Sequence, residues 1–275
     1  MYTHDSPHHR IHVTDEDGVR ILRFERNHQS SMHLDDPFET DFDYPGYLHL
    51  TIAVKPDPAR ALVIGLGGGS VVKRMWRDYP GLHLDAIELD DEVIDVAYAF
   101  FALPEDDRIA CFADDGRAFV RMSSEIYDVI IIDAFDDDRV PRPLLTEEFM
   151  RECRDRLSPD GVVAWNLIGN VDGPHSRTFR ALYRTARNVW GNVWAFPIGD
   201  GLDAVDGVRN IILLATDEPL TEEALLDRIA SRVDGRVTVP GFERFGDDLH
   251  RGPIRTGDVA LLADPPPAGA RRRRR

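Results

Sequence analysis

The chain has 275 residues, with 49 acidic residues against 33 lysines and arginines, and its formal net charge is −16. This length can bury a large core, and the negative surface repels nucleic-acid phosphates while attracting small cations. We therefore expect a small cationic substrate and no nucleic-acid partner. Because the sequence contains neither an apolar run of membrane-spanning length nor an apolar or basic leader, we expect a cytoplasmic protein without membrane contact.

The first 50 residues predict a small β domain. Two strand-like runs, 10–14 and 19–24, are joined through Asp17-Gly18, a pair that favours a tight hairpin turn. Several histidines lie in the same region without other ligands at metal-binding spacing. We interpret them as surface or hairpin residues and expect no metal; they are His4, His8, His9 and His12.

Residues 51–216 predict an α/β domain, because apolar strand-like runs alternate with helical patterns. The first run breaks into glycines at Gly65, Gly67 and Gly69. Glycines let a buried strand turn sharply into a helix and leave backbone N–H groups free to approach a ligand. The next run ends at Glu88, which is placed to accept hydrogen bonds from ribose hydroxyls. These features favour a nucleotide site, although the same turn occurs in α/β proteins that bind none.

Acidic residues follow three successive predicted strands. Glu88 ends the second strand, Asp115 ends the third, and Asp133 ends the fourth, whose apolar run is typical of a strand buried on both faces. Ligands of open α/β sheets bind outside the carboxyl ends of the strands. We therefore expect these three carboxylates to converge on one crevice.

The end of this domain predicts the fold class. A fifth strand is predicted at 162–167, and helices are predicted at 91–101, 146–157 and 179–189. The last two strand-like runs, 192–198 and 210–215, are joined by a polar loop too short for a helix, so they should pair antiparallel. A mostly parallel Rossmann-type sheet with an antiparallel last strand is the layout of the S-adenosylmethionine-dependent methyltransferase fold.

The remaining residues, 217–275, form a third predicted segment. They contain one helical pattern, 221–232, and an arginine-rich tail at 271–275 that we expect to be disordered. The two cysteines, Cys111 and Cys153, have neither metal-ligand spacing nor a disulfide framework around them, so we interpret both as packing residues.

Several motifs follow one another in a fixed order within residues 6–216. They are Gly65-Leu66-Gly67-Gly68-Gly69, Glu88-Leu89-Asp90, Asp115-Gly116, the run 127–133 followed by Asp136, and Leu144-Leu145-Thr146-Glu147-Glu148-Phe149. Together they resemble the spermidine synthase family, the polyamine aminopropyltransferases, and Gln29 fits the family's N-terminal β domain. The resemblance implies decarboxylated S-adenosylmethionine as co-substrate, a polyamine acceptor, and a homodimer or homotetramer.

The resemblance also implies roles for individual residues. Those implied to bind the co-substrate are Gln29, Gly65, Gly67, Gly69, Glu88 at the ribose, Asp115 at the adenine amino group, and Gly116. Asp133 matches the catalytic aspartate, and Asp136 its partner in the acceptor site. The chemistry agrees, because an amine attacking a sulfonium carbon must be oriented and lose a proton. The adjacent Asp137 and Asp138 either attract the acceptor or form a solvated turn.

Three departures from the family pattern keep alternatives open. Gly68 stands where the family carries an aspartate that binds the aminopropyl ammonium. The loop after Asp133 lacks the family's hydroxyl residues and proline, and the family's Tyr-His pair falls near Tyr44, absent or shifted. The alternatives are a methyltransferase that uses intact S-adenosylmethionine on a small cationic acceptor and a non-catalytic nucleoside-binding protein. The terminal strand pair does not suit an NAD-dependent enzyme.

Overall fold

The computed structural model describes residues 2–136, 139–199 and 207–266. The predictions for Asp137, Asp138 and the tail at 271–275 lie outside the described residues. Among the described residues, no helix is both long and apolar enough to cross a membrane.

The strands fall into two groups, one before residue 34 and one after residue 59. They are β1 (Tyr2–Asp5), β2 (Arg10–Glu16), β3 (Val19–Phe24), β4 (Asn27–His33), β5 (Arg60–Ile64), β6 (His83–Glu88), β7 (Ile109–Ala113), β8 (Tyr127–Ile132), β9 (Leu157–Gly169), β10 (Asn192–Pro197) and β11 (Arg209–Thr216).

Helices connect the strands of the second group and flank them at both ends. They are α1 (Tyr44–Leu48), α2 (Leu50–Val54), α3 (Ser70–Asp78), α4 (Asp91–Phe100), α5 (Gly116–Met122), α6 (Glu147–Arg154), α7 (Arg177–Val189) and α8 (Glu222–Ala230), with short turns at Arg142–Leu144, Arg232–Gly235 and Phe242–Asp248.

The N-terminal sheet is antiparallel, in the order β1-β2-β3-β4. The predicted hairpin is confirmed: β2 and β3 pair across Asp17 and Gly18, whose φ values are 49° and 84°. Strands β1 and β4 extend it, and the sequence did not predict them because β1 is exposed and β4 is mostly polar. Ile11, Val13 and Leu22 of this sheet pack against α4.

The main sheet has the order β10-β11-β9-β8-β5-β6-β7. Strands β5 to β9 run parallel, whereas β11 is antiparallel to both of its neighbours, which confirms the predicted fold class. Strand β9 begins earlier than predicted, because Leu157 already pairs with Tyr127 of β8. Ser158 to Gly161 then bulge out, and the pairing resumes where Val129 faces Val162. The carboxyl ends of β5 to β8 therefore share one edge.

Apolar layers cover both faces of the main sheet. Side chains alternate along β8, so Val129 and Ile131 pack with α1, α2, α3 and α8, whereas Ile130 and Ile132 pack with α5, α6 and α7. The C-terminal segment completes the first layer through buried side chains such as Phe242. Both cysteines are free and pack against these layers, as predicted.

Candidate active site

A pocket that opens to solvent lies at the carboxyl ends of β5, β6, β7 and β8. The described residues that line it are His9, Phe24, Gln29, Ser30, Tyr44, Ile64, Gly65, Leu66, Gly67, Ser70, Val71, Ile87, Glu88, Leu89, Asp114, Asp115, Gly116, Asp133, Ala134, Phe135, Pro141, Pro143 and Leu144. The structure therefore brings Glu88, Asp115 and Asp133 to one crevice, as expected from the sheet.

The glycine turn after β5 forms one wall of the pocket. Its backbone lies against Asp133, which follows β8, the neighbouring strand in the sheet. Gly65 has a φ of 97°, and a Cβ there would lie 2.3 Å from the carbonyl oxygen of Asp133. Gly116 is similarly confined, since its Cβ would lie 2.3 Å from Cγ2 of Ile64. Gly69 does not line the pocket; with a φ of 73° it starts α3 in the left-handed conformation. Its contribution is to the turn geometry.

Glu88 connects the glycine turn to the start of α4. One carboxylate oxygen accepts from the backbone N–H of Leu66 at 3.0 Å and of Gly67 at 3.4 Å, and the other accepts from Leu89 at 2.8 Å and Asp90 at 3.3 Å. The side chain is also partly exposed to the pocket. The two longer bonds, from Gly67 and Asp90, are the ones that a ligand hydroxyl group can replace at the lowest cost, because hydrogen bonds weaken with distance.

Two exposed aspartates follow β7 on the opposite wall. Strand β7, the third strand predicted for this domain, ends at Ala113 and not at Asp115. Asp115 is instead the N-cap of α5, where its carboxylate accepts from the backbone N–H of Ala118 at 2.8 Å. The Asp114 carboxylate accepts from the backbone N–H of Asp115, also at 2.8 Å. Both side chains present acceptors to the pocket.

Asp133 follows the apolar strand β8 and is enclosed by protein except toward the pocket. This burial raises the pKa of Asp133 to about 7, although hydrogen bonds from Asn166 and Tyr44 lower it. The Asn166 amide donates to the carboxylate at 2.9 Å. A carboxylate with this pKa can take up a proton near neutral pH, as a general base must.

Tyr44 and His9 are pocket residues that sequence reasoning did not place there. The Tyr44 hydroxyl, whose own pKa burial raises well above its usual range, hydrogen-bonds Asp133, so the tyrosine counted as absent or shifted does reach the site. His9, interpreted as a surface or hairpin residue, is partly exposed next to the hairpin and also reaches the pocket wall, where its ring stacks on Phe24 of β3 with the ring centroids 4.1 Å apart. Only the tyrosine had a sequence signal, its position ahead of the first strand of the main sheet.

Asp136 does not line the pocket, contrary to the expectation for an acceptor-site residue. Its side chain is exposed, and its backbone forms a narrow turn with Arg139, with N to O distances of 2.8 and 3.2 Å. Ala134 and Phe135 face the pocket instead, because the chain turns away after them.

Strand β4 of the N-terminal sheet covers the glycine turn. The backbone N–H of Gly68 donates to Oγ of Ser30 at 2.8 Å, and Gln29 lines the pocket from the same strand. A Cβ at position 68 would lie 2.8 Å from Phe101 and 2.9 Å from Cβ of Ser30. Position 68 therefore faces the N-terminal sheet and α4 rather than the pocket.

No group of three or more histidine, cysteine, aspartate or glutamate side chains among residues 2–136, 139–199 and 207–266 could hold a metal ion. The carboxylates at the pocket instead contact backbone N–H groups, an amide and a hydroxyl.

Fold and pocket together define a Rossmann-type protein with a carboxylate-lined site at the sheet edge. The sequence model of the spermine/spermidine synthase domain matches residues 47–167. A polyamine aminopropyltransferase from Chromobacterium violaceum is 30% identical over 244 residues, which cover 88% of each chain. The chain belongs to the polyamine aminopropyltransferase family, which confirms the resemblance seen in its motifs.

Solved structures show the same fold. A probable spermidine synthase from Corynebacterium glutamicum superimposes with a TM-score of 0.75 at 18% identity, covering 97% of both chains. A spermidine synthase in complex with the transition state analogue AdoDATO gives a TM-score of 0.65 at 21% identity, covering 83% of this chain and 76% of that one.

Proposed function

We propose that the protein transfers an aminopropyl group from decarboxylated S-adenosylmethionine to an amine of a polyamine. The observation that carries the proposal is Asp133, a carboxylate with a pKa of about 7 that lines one pocket with the glycine turn, Glu88 and Asp115. Family membership supports it, because relatives that cover most of the chain are named polyamine aminopropyltransferases.

The proposed reaction is a single displacement. The nitrogen lone pair of the acceptor attacks the aminopropyl carbon bonded to sulfur, the C–S bond breaks, and its electrons stay on the sulfur. Methylthioadenosine leaves as a neutral thioether and needs neither a general acid nor a metal. The new ammonium transfers its proton to Asp133, which also orients the amine.

The other pocket residues hold the donor in this proposal. Glu88 accepts from the ribose hydroxyls, Asp115 accepts from the adenine amino group, and Gln29 closes the site from the N-terminal sheet. Gly65, Gly67 and Gly116 let the backbone approach the nucleoside, and Gly69 starts α3. Asp136, exposed near the site, attracts the polycation through its charge rather than by contact.

The test is product formation by the purified full-length protein. With decarboxylated S-adenosylmethionine and putrescine or spermidine, we expect equal amounts of methylthioadenosine and aminopropylated amine, measured by liquid chromatography. Intact S-adenosylmethionine with the same amines is the matched arm. If only this arm gives product, as methylated amine, the protein is a methyltransferase; if neither arm does and methylthioadenosine still binds, it is a non-catalytic nucleoside-binding protein.

The protein is also proposed to work as a homodimer or homotetramer, and a cytoplasmic location stays a prediction from the sequence. Light scattering of the purified protein measures its mass in solution directly. A monomer at working concentration would contradict the proposed assembly without affecting the proposed chemistry.

Replacing Gly68 by aspartate is expected to destabilise the protein without strengthening donor binding. The new side chain meets Phe101 and Ser30, and overpacking of this kind costs roughly 1–3 kcal/mol. Calorimetry measures binding, and thermal unfolding measures stability. Tighter binding of the decarboxylated donor by Gly68→Asp would contradict the placement of this position outside the pocket.

A further inference from the structure

Two amide side chains lie behind Asp133, one on β9, the neighbour of β8, and one on β11, the neighbour of β9. The Asn166 amide on β9 donates to Oδ1 of Asp133 at 2.9 Å, and the Asn210 amide on β11 donates to Oδ1 of Asn166 at 2.9 Å. Asn166 is fully buried and does not line the pocket. It therefore contacts the carboxylate and cannot contact a bound substrate.

The direction of these hydrogen bonds is fixed by chemistry. An ionised carboxylate only accepts, so Asn166 must turn its NH₂ group toward Asp133. Its carbonyl oxygen then needs a donor, because an unpaired buried acceptor is costly. Asn210 supplies that donor and so holds the Asn166 amide in the orientation that favours the charged form of Asp133.

We propose that Asn166 is a positioning residue for the base of the reaction, with Asn210 as its support. The catalytic part of this inference rests on the proposed function, whereas the effect on the carboxylate does not. Asn166 holds Oδ1 of Asp133 against β9 and so fixes the orientation in which the carboxylate meets the acceptor amine. It also keeps a larger fraction of Asp133 ionised at neutral pH.

The surroundings of Asp133 make this hydrogen bond influential. Burial raises the pKa of the carboxyl, and the groups that lower it are Asn166 and Tyr44. Tyr44 approaches from α1, and the backbone of Gly65 approaches from the end of β5. The other titratable groups described around the pocket are His9 ahead of β2, Glu88 at the end of β6, and Asp114 and Asp115 after β7.

The test titrates Asp133 directly by carbon-13 NMR of aspartate-labelled full-length protein, with Asp133→Asn used to assign its carboxyl signal. Asn166→Leu removes the donor at similar volume, and we expect the titration midpoint to rise by about one pH unit. Asn210→Ala, a truncation at a partly exposed position, should raise it by a smaller amount. Asn192→Ala is the matched control, since that amide bonds Glu218 and Leu220 away from the pocket.

Kinetics form the second readout. The acidic limb of the kcat profile should move to higher pH in Asn166→Leu and in Asn210→Ala, with the plateau at high pH less affected and the donor KM unchanged. An Asp133 midpoint that stays at its wild-type value in both variants would overturn the inference. A shifted midpoint in a protein that transfers no aminopropyl group would refute the proposed function alone.

Discussion

Aminopropyl transfer is expected to fall by roughly 10²–10⁴-fold in kcat when Asp133 is replaced by asparagine, because general base catalysis typically contributes this factor. Asparagine keeps the shape of the side chain and can still accept from Asn166, but it cannot take up the proton. Binding of methylthioadenosine should be retained. Steady-state kinetics with decarboxylated donor and putrescine, together with calorimetry, separate the two effects.

Two further variants sharpen this result. Asp136→Asn should raise the acceptor KM and leave kcat close to wild type, because its side chain is exposed outside the pocket. Asp107→Asn makes the same change of charge at another exposed residue that does not line the pocket. We expect wild-type kinetics from it. Equal activity of Asp133→Asn and wild type would exclude Asp133 as the base.

Replacement of Asp133 by asparagine also has a consequence for the stability of the fold. The folded-state pKa of Asp133, about 7, lies above its ordinary value of 3.8, so the folded protein binds more protons between these two pH values. The free energy of unfolding of the wild type therefore falls as pH rises through this window, by about 1.4 kcal/mol per pH unit at most. Asp133→Asn should match wild type near pH 4 and exceed it at pH 8, as measured by urea denaturation.

The second large effect is expected from Gly65→Ala, which should lower the free energy of unfolding by about 3 kcal/mol or more. The added methyl group would lie 2.3 Å from the carbonyl oxygen of Asp133, at a φ of 97° that alanine rarely adopts. The melting temperature should fall by about 10 °C. Activity should fall as well, because relief of the collision displaces the backbone of Asp133.

Gly81→Ala is the matched control for this change. Position 81 is exposed, has no positive φ, and has no neighbour within 4 Å of an added Cβ. Its effect should stay within about 0.5 kcal/mol. If both variants melted at the same temperature, the close approach between Gly65 and Asp133 would not be a constraint on the fold.

The sequence predicts the part of the site that lies at strand ends. Apolar runs mark the buried parallel strands, and the residues that follow them, Glu88, Asp115 and Asp133, are brought together by the geometry of the sheet itself. The antiparallel pairing of β10 and β11 follows from the short polar loop between the two runs. These inferences need only local patterns and one rule about parallel sheets.

The rest of the site depends on contacts between distant parts of the chain. Tyr44, on a helix of five residues, and His9, in a polar segment, reach the pocket through tertiary packing that no periodicity encodes. Asn166 resembles any buried polar residue near the end of a strand until its partner on β11 is known. Asp136 is close in sequence to Asp133 but does not line the pocket, and its role in the acceptor site stays a prediction.

The hydrogen bond between Ser30 and the glycine turn has a consequence for protein engineering. Removal of the N-terminal sheet would leave the N–H of Gly68 without its Ser30 partner and would take away the covering strand that carries Gln29. A chimera that joins a foreign N-terminal sheet to this Rossmann-type half should therefore keep a hydrogen-bond acceptor at position 30.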